Sequence, residues 1–319
     1  TGRLSMVLET LFHQKYPGRN QVVSFMAGGD YALIKSVESF EDKVEYGERQ
    51  LMELGFTEND LLLSPTEGGE TPFVIGATNL AAKFSKRSPY FLYCNPDESL
   101  LSVQRSKEVI ENPRIHKVNL TVGPMAISGS TRMQASTVLM LAIGVGLLYG
   151  HENKNVFELF YKDFLKRLTA TDYKVMKGLT KLEASLYQEK KYLNYIADPH
   201  LAVSILTDTT ERSPTFSLSG FENRLTPEST HSLSYLFIAD SETTAHGWSQ
   251  LLWRSPRALE WSELDGSIGL EKIFGFDISK QGQSIRSSNV NAVNFEVLYD
   301  QGQIKFICQD EHVEFNWGE

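Results

Sequence analysis

Apolar residues along this chain fall into two alternating patterns. Short runs closed by Gly, Pro or Asn recur as QVVSFMAGG (21–29), DLLLSPTEGG (60–69), PYFLYCNP (89–96) and HKVNLTVGP (116–124), and each predicts a strand. Between them, YALIKSVESFEDKVEYGERQLMELG (31–55) has a helical period and Gly55 at its stop. TPFVIGATNLAAKFSKR (71–87) opens with Pro72, which a first helical turn tolerates. MAISGSTRMQASTVLMLAIGVGLL (125–148) leads into a further helix, predicted to be buried. Its apolar run, 138–148, is far short of the ~20 residues that span a bilayer.

Strands alternating with helices predict a parallel sheet covered on both faces, with ligands bound beyond the carboxyl ends of the strands. Two polar loops, 64–71 and 128–132, fall at such strand-to-helix junctions. From 153 to about 191 the chain is charged and helical, a connecting helix or pair of helices. Beyond it SLSYLFIADSE (232–242) predicts a buried strand, and Trp248, Trp253 and Trp261 follow closely. The end, VNFEVLYDQGQIKFICQDEHVEFNW (293–317), alternates apolar and polar residues around Gln301-Gly302 and predicts an antiparallel hairpin. A boundary near 190 gives two domains, 1–190 and 191–319.

A length of 319 residues fits two cores. The net charge of −9 argues against nucleic acid or an anionic membrane as partner, because both need a basic surface. Two distant cysteines, Cys94 and Cys308, make no disulfide framework, so a reducing cytoplasm is expected. Seven histidines show no metal-ligand spacing, and neither a metal nor another cofactor is expected. The opening TGRLSMVLE lacks the basic start and apolar core of a secretory leader.

The stretch 128–132 supplies Ser128, Gly129, Ser130, Thr131 and Arg132 at the mouth of an apolar helix. Small residues, hydroxyls and a guanidinium there suit an anion, held by free amides and the helix dipole. Ser and Thr also suit a plain N-cap. In the loop 64–71, Gly68 and Gly69 permit close approach and Thr66 and Thr71 offer hydroxyls, whereas Glu67 and Glu70 would repel a phosphate. A tight turn before a Pro-started helix explains that loop nearly as well.

GRLSMVLE, AGGDYALIKSVESFED, TPFVIGA, YCNP and SGSTRM occur here in the order and approximate spacing of the sugar isomerase (SIS) domain of N-acetylmuramic acid 6-phosphate etherases and the related glucokinase regulatory protein. The resemblance covers residues 1 to about 150. It implies a flavodoxin-like α/β fold that binds a sugar phosphate, and it favours the anion reading of 128–132. Thr1, Gly2 and Arg3 then resemble the end of a first phosphate loop, so that the strand and helices before it would be missing. The etherase works with two glutamates, one a base for the proton alpha to the latent aldehyde and one an acid for the departing lactyl oxygen. One matches Glu41. The other would fall on Leu11, and Glu9, two residues early, would point about 160° away on a helix.

LTDTTERSPTF (206–216) resembles the missing stretch and carries Glu211. The resemblance therefore implies two flavodoxin-like SIS domains in tandem, the second divergent and ending in the hairpin, with the sugar phosphate between them. Glu41, Glu211, Thr66, Gly68 and Thr71 would join residues 1–3 and 128–132 around it. There are departures: Gln134 stands where the family has a basic residue, Glu70 where it has arginine and Gly68 where it has serine. The implied function is hexose or amino-sugar phosphate binding without catalysis, with a sugar kinase as possible protein partner. The alternative is an etherase-type lyase releasing D-lactate with Glu41 and Glu211 as its catalytic pair.

Overall fold

The computed structural model describes residues 2–37, 39–128, 130–216, 218–225, 230–262, 264 and 268–316, apart from the side chains of 157 and 211–216. Two compact units emerge. The first comprises Thr1–Phe12, Gly18–Ala32 and Ser36–Gly150; the second comprises His13–Pro17, Leu33–Lys35 and His151–Glu319.

The elements up to residue 150 are α1 (Gly2–Lys15), a 3-10 turn (Asp30–Leu33), α2 (Val44–Glu53), β1 (Leu63–Pro65), α3 (Pro72–Phe84), β2 (Tyr90–Tyr93), α4 (Asp97–Leu100), α5 (Gln104–Glu111), β3 (His116–Asn119) and α6 (Ala135–Tyr149). The three strands lie in the order β1-β2-β3 and are all parallel, with Ser64 opposite Phe91 and Phe91 opposite Lys117. On one face Leu4 and Leu8 of α1 and Ala135, Leu139 and Ile143 of α6 pack on Leu92 and Cys94. On the other, Ile75 and Ala82 of α3, Leu100 and Val109 pack on Phe91 and Tyr93. The sheet is thus parallel and covered on both faces, as the alternation of strands and helices predicts.

Helices α2 and α3 cross at two glycines. A Cβ on Gly47 would collide with the Phe73 carbonyl oxygen, and one on Gly76 with the carbonyl of Val44. Only at glycine do the two backbones come this near.

Two predicted elements differ. Residues 21–29 form no strand: Gly28 and Gly29 take φ of +88° and +67°, and the Gly29 amide closes a turn onto Met26 O at 2.9 Å. Side chains take up that segment's polar groups. Ser24 Oγ donates to Glu9 at 2.8 Å and Gln50 Nε2 to Met26 O at 3.0 Å. The helix expected over 31–55 is confined to α2, because the preceding residues turn repeatedly and Ser39 has a φ of +59°.

The later elements are α7 (Lys154–Ala170), a 3-10 turn (Tyr173–Met176), α8 (Lys177–Gln188), β4 (Tyr192–Ala197), α9 (Pro199–Phe216), β5 (Ser234–Ile238), α10 (Thr244–Leu252), α11 (Leu270–Phe274), α12 (Lys280–Asn289), β6 (Ala292–Asp300), β7 (Gln303–Cys308) and β8 (Glu311–Asn316). The second sheet runs β5-β4-β6-β7-β8. It is mixed, with β5, β4 and β6 parallel and β7 and β8 antiparallel. The expected hairpin turns at Gln301 and Gly302, with φ of +44° and +83°, and β8 extends it to a three-stranded meander. Among the described residues no helix is long and apolar enough to cross a membrane.

Candidate functional site

The loop after β1 and the loop after β3 both leave the carboxyl end of the first sheet, on either side of β2. In the first of these, residues 66–71, side chains from elsewhere hold three successive carbonyls. Asn95 Nδ2 donates to Gly68 O at 3.0 Å, Ser106 Oγ to Gly69 O at 2.8 Å and Arg105 Nε to Glu70 O at 2.7 Å. In a trans peptide the N–H points opposite to the C=O. The amides of Glu70 and Thr71 are therefore turned away from Ser106 and Arg105, and neither donates to a described residue. Gly69 makes the turn possible: its φ is +84°, and a Cβ there would sit 2.7 Å from Leu100 Cδ1.

Hydroxyls brace the same loop from within. Thr66 is fully buried; its Oγ1 lies 3.2 Å from Thr71 Oγ1 and accepts the Gly69 amide at 3.2 Å. Thr66 is thus a framework residue, while Thr71 is the N-cap of α3 with Pro72 next. A Cβ at Gly68 would meet nothing nearer than Asn95 Nδ2 at 3.9 Å, so this position is open. Glu41 arrives at the same helix end. Its carbonyl accepts the Phe73 amide at 3.0 Å, and the residue is exposed in the turn before α2, not on a helix face.

The loop after β3 does not cap α6. That helix begins at Ala135, its N-cap is Gln134, and no side chain caps it. The Gln134 amide instead ties down the loop, accepting from the Ala126 amide and donating to Pro124 O at 3.2 Å. Ser128 is exposed, and the Ser130 amide turns back onto Ile127 O at 3.0 Å. Thr131 Oγ1 donates to Glu67 Oε2 at 2.7 Å, and Ser136 Oγ donates to Glu67 Oε1. The two loops are thereby joined through a carboxylate that the sequence marks only as repulsive. Thr1, Gly129 and the Glu211 side chain lie outside the described residues.

Arg3 stands in the first turn of α1, next to Gly2, where a Cβ would press on Met26. Burial, and then the positive charge of Arg132, hold the Arg3 pKa down to about 10. Two guanidiniums, half-buried and repelling one another, are therefore gathered at 128–132, and Arg3 stays charged at neutral pH despite its lowered pKa. Such an arrangement favours an anion with several acceptor oxygens. Across the loop, Arg105 also reaches the Glu70 carboxylate at 4.0 Å, returning a cation to the neighbourhood of that glutamate. Among the described residues no group of three or more His, Cys, Asp or Glu is placed to hold a metal.

Residues 1–82 match the family model of the glucokinase regulatory protein N-terminal SIS domain. The N-acetylmuramic acid 6-phosphate etherase of Lactococcus lactis subsp. cremoris (strain MG1363) is 36% identical over 141 residues, covering 41% of this chain and 43% of the relative. The enzyme of the same name from Bacillus subtilis (strain 168) is 29% identical over 192 residues, covering 59% and 58%. The one from Caldanaerobacter subterraneus subsp. tengcongensis is 36% identical over 124 residues, covering 39% and 37%. The matched region spans less than two thirds of the length of each of these relatives.

Proposed function

We propose, from the premise that the first unit is an SIS domain of the etherase and glucokinase-regulatory-protein branch, that this chain binds a hexose or amino-sugar phosphate without transforming it. The observation that carries the reading is the pairing of Arg3 with Arg132 beside the loop 128–132. A phosphate dianion relieves their repulsion and accepts charge-assisted bonds from both. The carbonyls of Gly69 and Glu70, held by Ser106 and Arg105, support it, since they leave the amides of Glu70 and Thr71 available to phosphate oxygens. Ser128, Ser130 and Thr131 would add hydroxyls, and Glu41 would accept from sugar hydroxyls. The name of the matched family model supports a sugar kinase as partner. Two buried free thiols suit a cytoplasmic setting.

A second reading, an etherase-type lyase, is favoured by the names of the relatives and by Glu41 at the α3 end. It needs one carboxylate as base and another group as acid, for which Glu211 is the candidate. Against it stands Glu70, in the position where the etherases carry arginine. Incubation with N-acetylmuramic acid 6-phosphate and assay of D-lactate separates the two. Binding by calorimetry without lactate is the expected result. Lactate release, abolished in Glu41→Gln, would establish the lyase instead.

A further inference from the structure

Glu67 belongs to the loop after β1, yet one of its carboxylate oxygens serves the loop after β3, at Thr131, and the other serves the first turn of α6, at Ser136. Thr131 and Ser136 come 64 and 69 residues later in the chain and each donates its hydroxyl to Glu67. The charge is also felt beneath the loops: burial first, and then Glu67, push the Cys94 thiol up to about 11. A hydroxyl has a single proton to donate. Thr131 can give it to the carboxylate or to a phosphate oxygen, but not to both.

We propose that Glu67 is a tethered competitor of the ligand, a built-in anion that occupies the hydroxyls of the sugar-phosphate site until a phosphate ester displaces it. The proposal rests on the sugar-phosphate reading of 128–132. Glu67 then sets affinity and selects against weakly charged ligands: a sugar lacking the phosphate brings nothing strong enough to displace the carboxylate from Thr131 and Ser136. A phosphate dianion brings the attraction of Arg3 and Arg132.

The test is calorimetric titration of the full chain with inorganic phosphate and with glucose 6-phosphate. Glu67→Gln keeps the length and the hydrogen-bonding reach but removes the charge. It is expected to bind inorganic phosphate at least tenfold more tightly than the parent, and glucose 6-phosphate by a similar factor. Glu67→Asp keeps the charge but is one methylene too short to reach both hydroxyls, so a smaller gain is expected. Thermal melts establish that each variant is folded. Equal or weaker phosphate affinity in both folded variants overturns the proposal. Tighter inorganic phosphate in Glu67→Gln, with glucose 6-phosphate no tighter than phosphate itself, upholds the tethered anion and counts against the sugar-phosphate function.

Discussion

At the scale of single residues, the paired guanidiniums make the sharpest demand. On the proposed sugar-phosphate reading, Arg132→Ala removes a charge-assisted contact worth about 1.5–3 kcal/mol, so affinity for a sugar phosphate should fall about 10- to 150-fold in calorimetry. Melting temperature should barely move, because Arg132 is only half-buried. The thiols make a different demand. Cys94 and Cys308 are 4% and 1% exposed, and burial pushes both pKa values up, Cys94 to about 11. Iodoacetamide at pH 8 should leave both unmodified in the native chain and label both after unfolding, as read by intact mass. Since the folded pKa of Cys94 exceeds its ordinary value of 9.0, the neutral thiol is favoured in the fold. Its contribution to stability is complete below pH 9 and is lost as pH rises toward 11. At this scale the position of 128–132 was legible, a polar stretch between β3 and the apolar helix α6, whereas composition alone left an anion site and a plain N-cap both open. The part played by Glu67 was not: its partner Thr131 lies 64 residues away, and only the folded sheet brings them together.

Among the elements, the α2–α3 crossing governs where Glu41 is held, since α2 follows Glu41 directly and α3 starts on its carbonyl. Gly47→Ala or Gly76→Ala must push the two backbones apart. Each should cost about 1–3 kcal/mol in urea unfolding, the usual cost of overpacking, and should weaken ligand binding by moving Glu41. The strands β1, β2 and β3 could be read as short apolar runs bounded by Gly, Pro and Asn, and α3 by its opening proline. The segment 21–29 has the same composition as a strand, but its paired glycines adopt positive φ and fold it into a turn. β4, an interior strand next to the edge of the second sheet, gives no clean apolar run because Asn194 interrupts it. That asparagine is fully buried and satisfied by Arg286 Nε at 3.1 Å, 92 residues further on. No local pattern announces such a partner.

For the whole molecule, the second unit is not a contiguous length of chain. It includes Leu33–Lys35 and His13–Pro17, and within it the Thr210 hydroxyl donates to Leu33 O at 2.9 Å and Gln14 Nε2 to His200 O at 3.4 Å. Leu33 is wholly buried. A fragment covering 151–319 alone should therefore lose cooperativity: its urea transition should broaden and its midpoint fall relative to the same signal in the full chain. An equally sharp transition at the same midpoint would mean those short segments are dispensable. The net charge of −9 acts at this scale as well. It repels anionic ligands at a distance, so attraction of a phosphate must come from the local guanidiniums.

The three pinned carbonyls of the loop after β1 bear on how such a site is inherited. On the proposed reading its donors are the amides of Glu70 and Thr71, directed by Ser106 and Arg105, while Asn95 braces the loop at Gly68. All three anchors stand outside the loop in sequence. Mutation can rewrite positions 68 and 70 without erasing the donors, provided Gly69 and the three outlying anchors survive. Descendants of one ancestor could then exchange serine for glycine and arginine for glutamate, retuning what the loop prefers while its scaffold persists. Lineages that have drifted apart in the loop itself should still share its anchors.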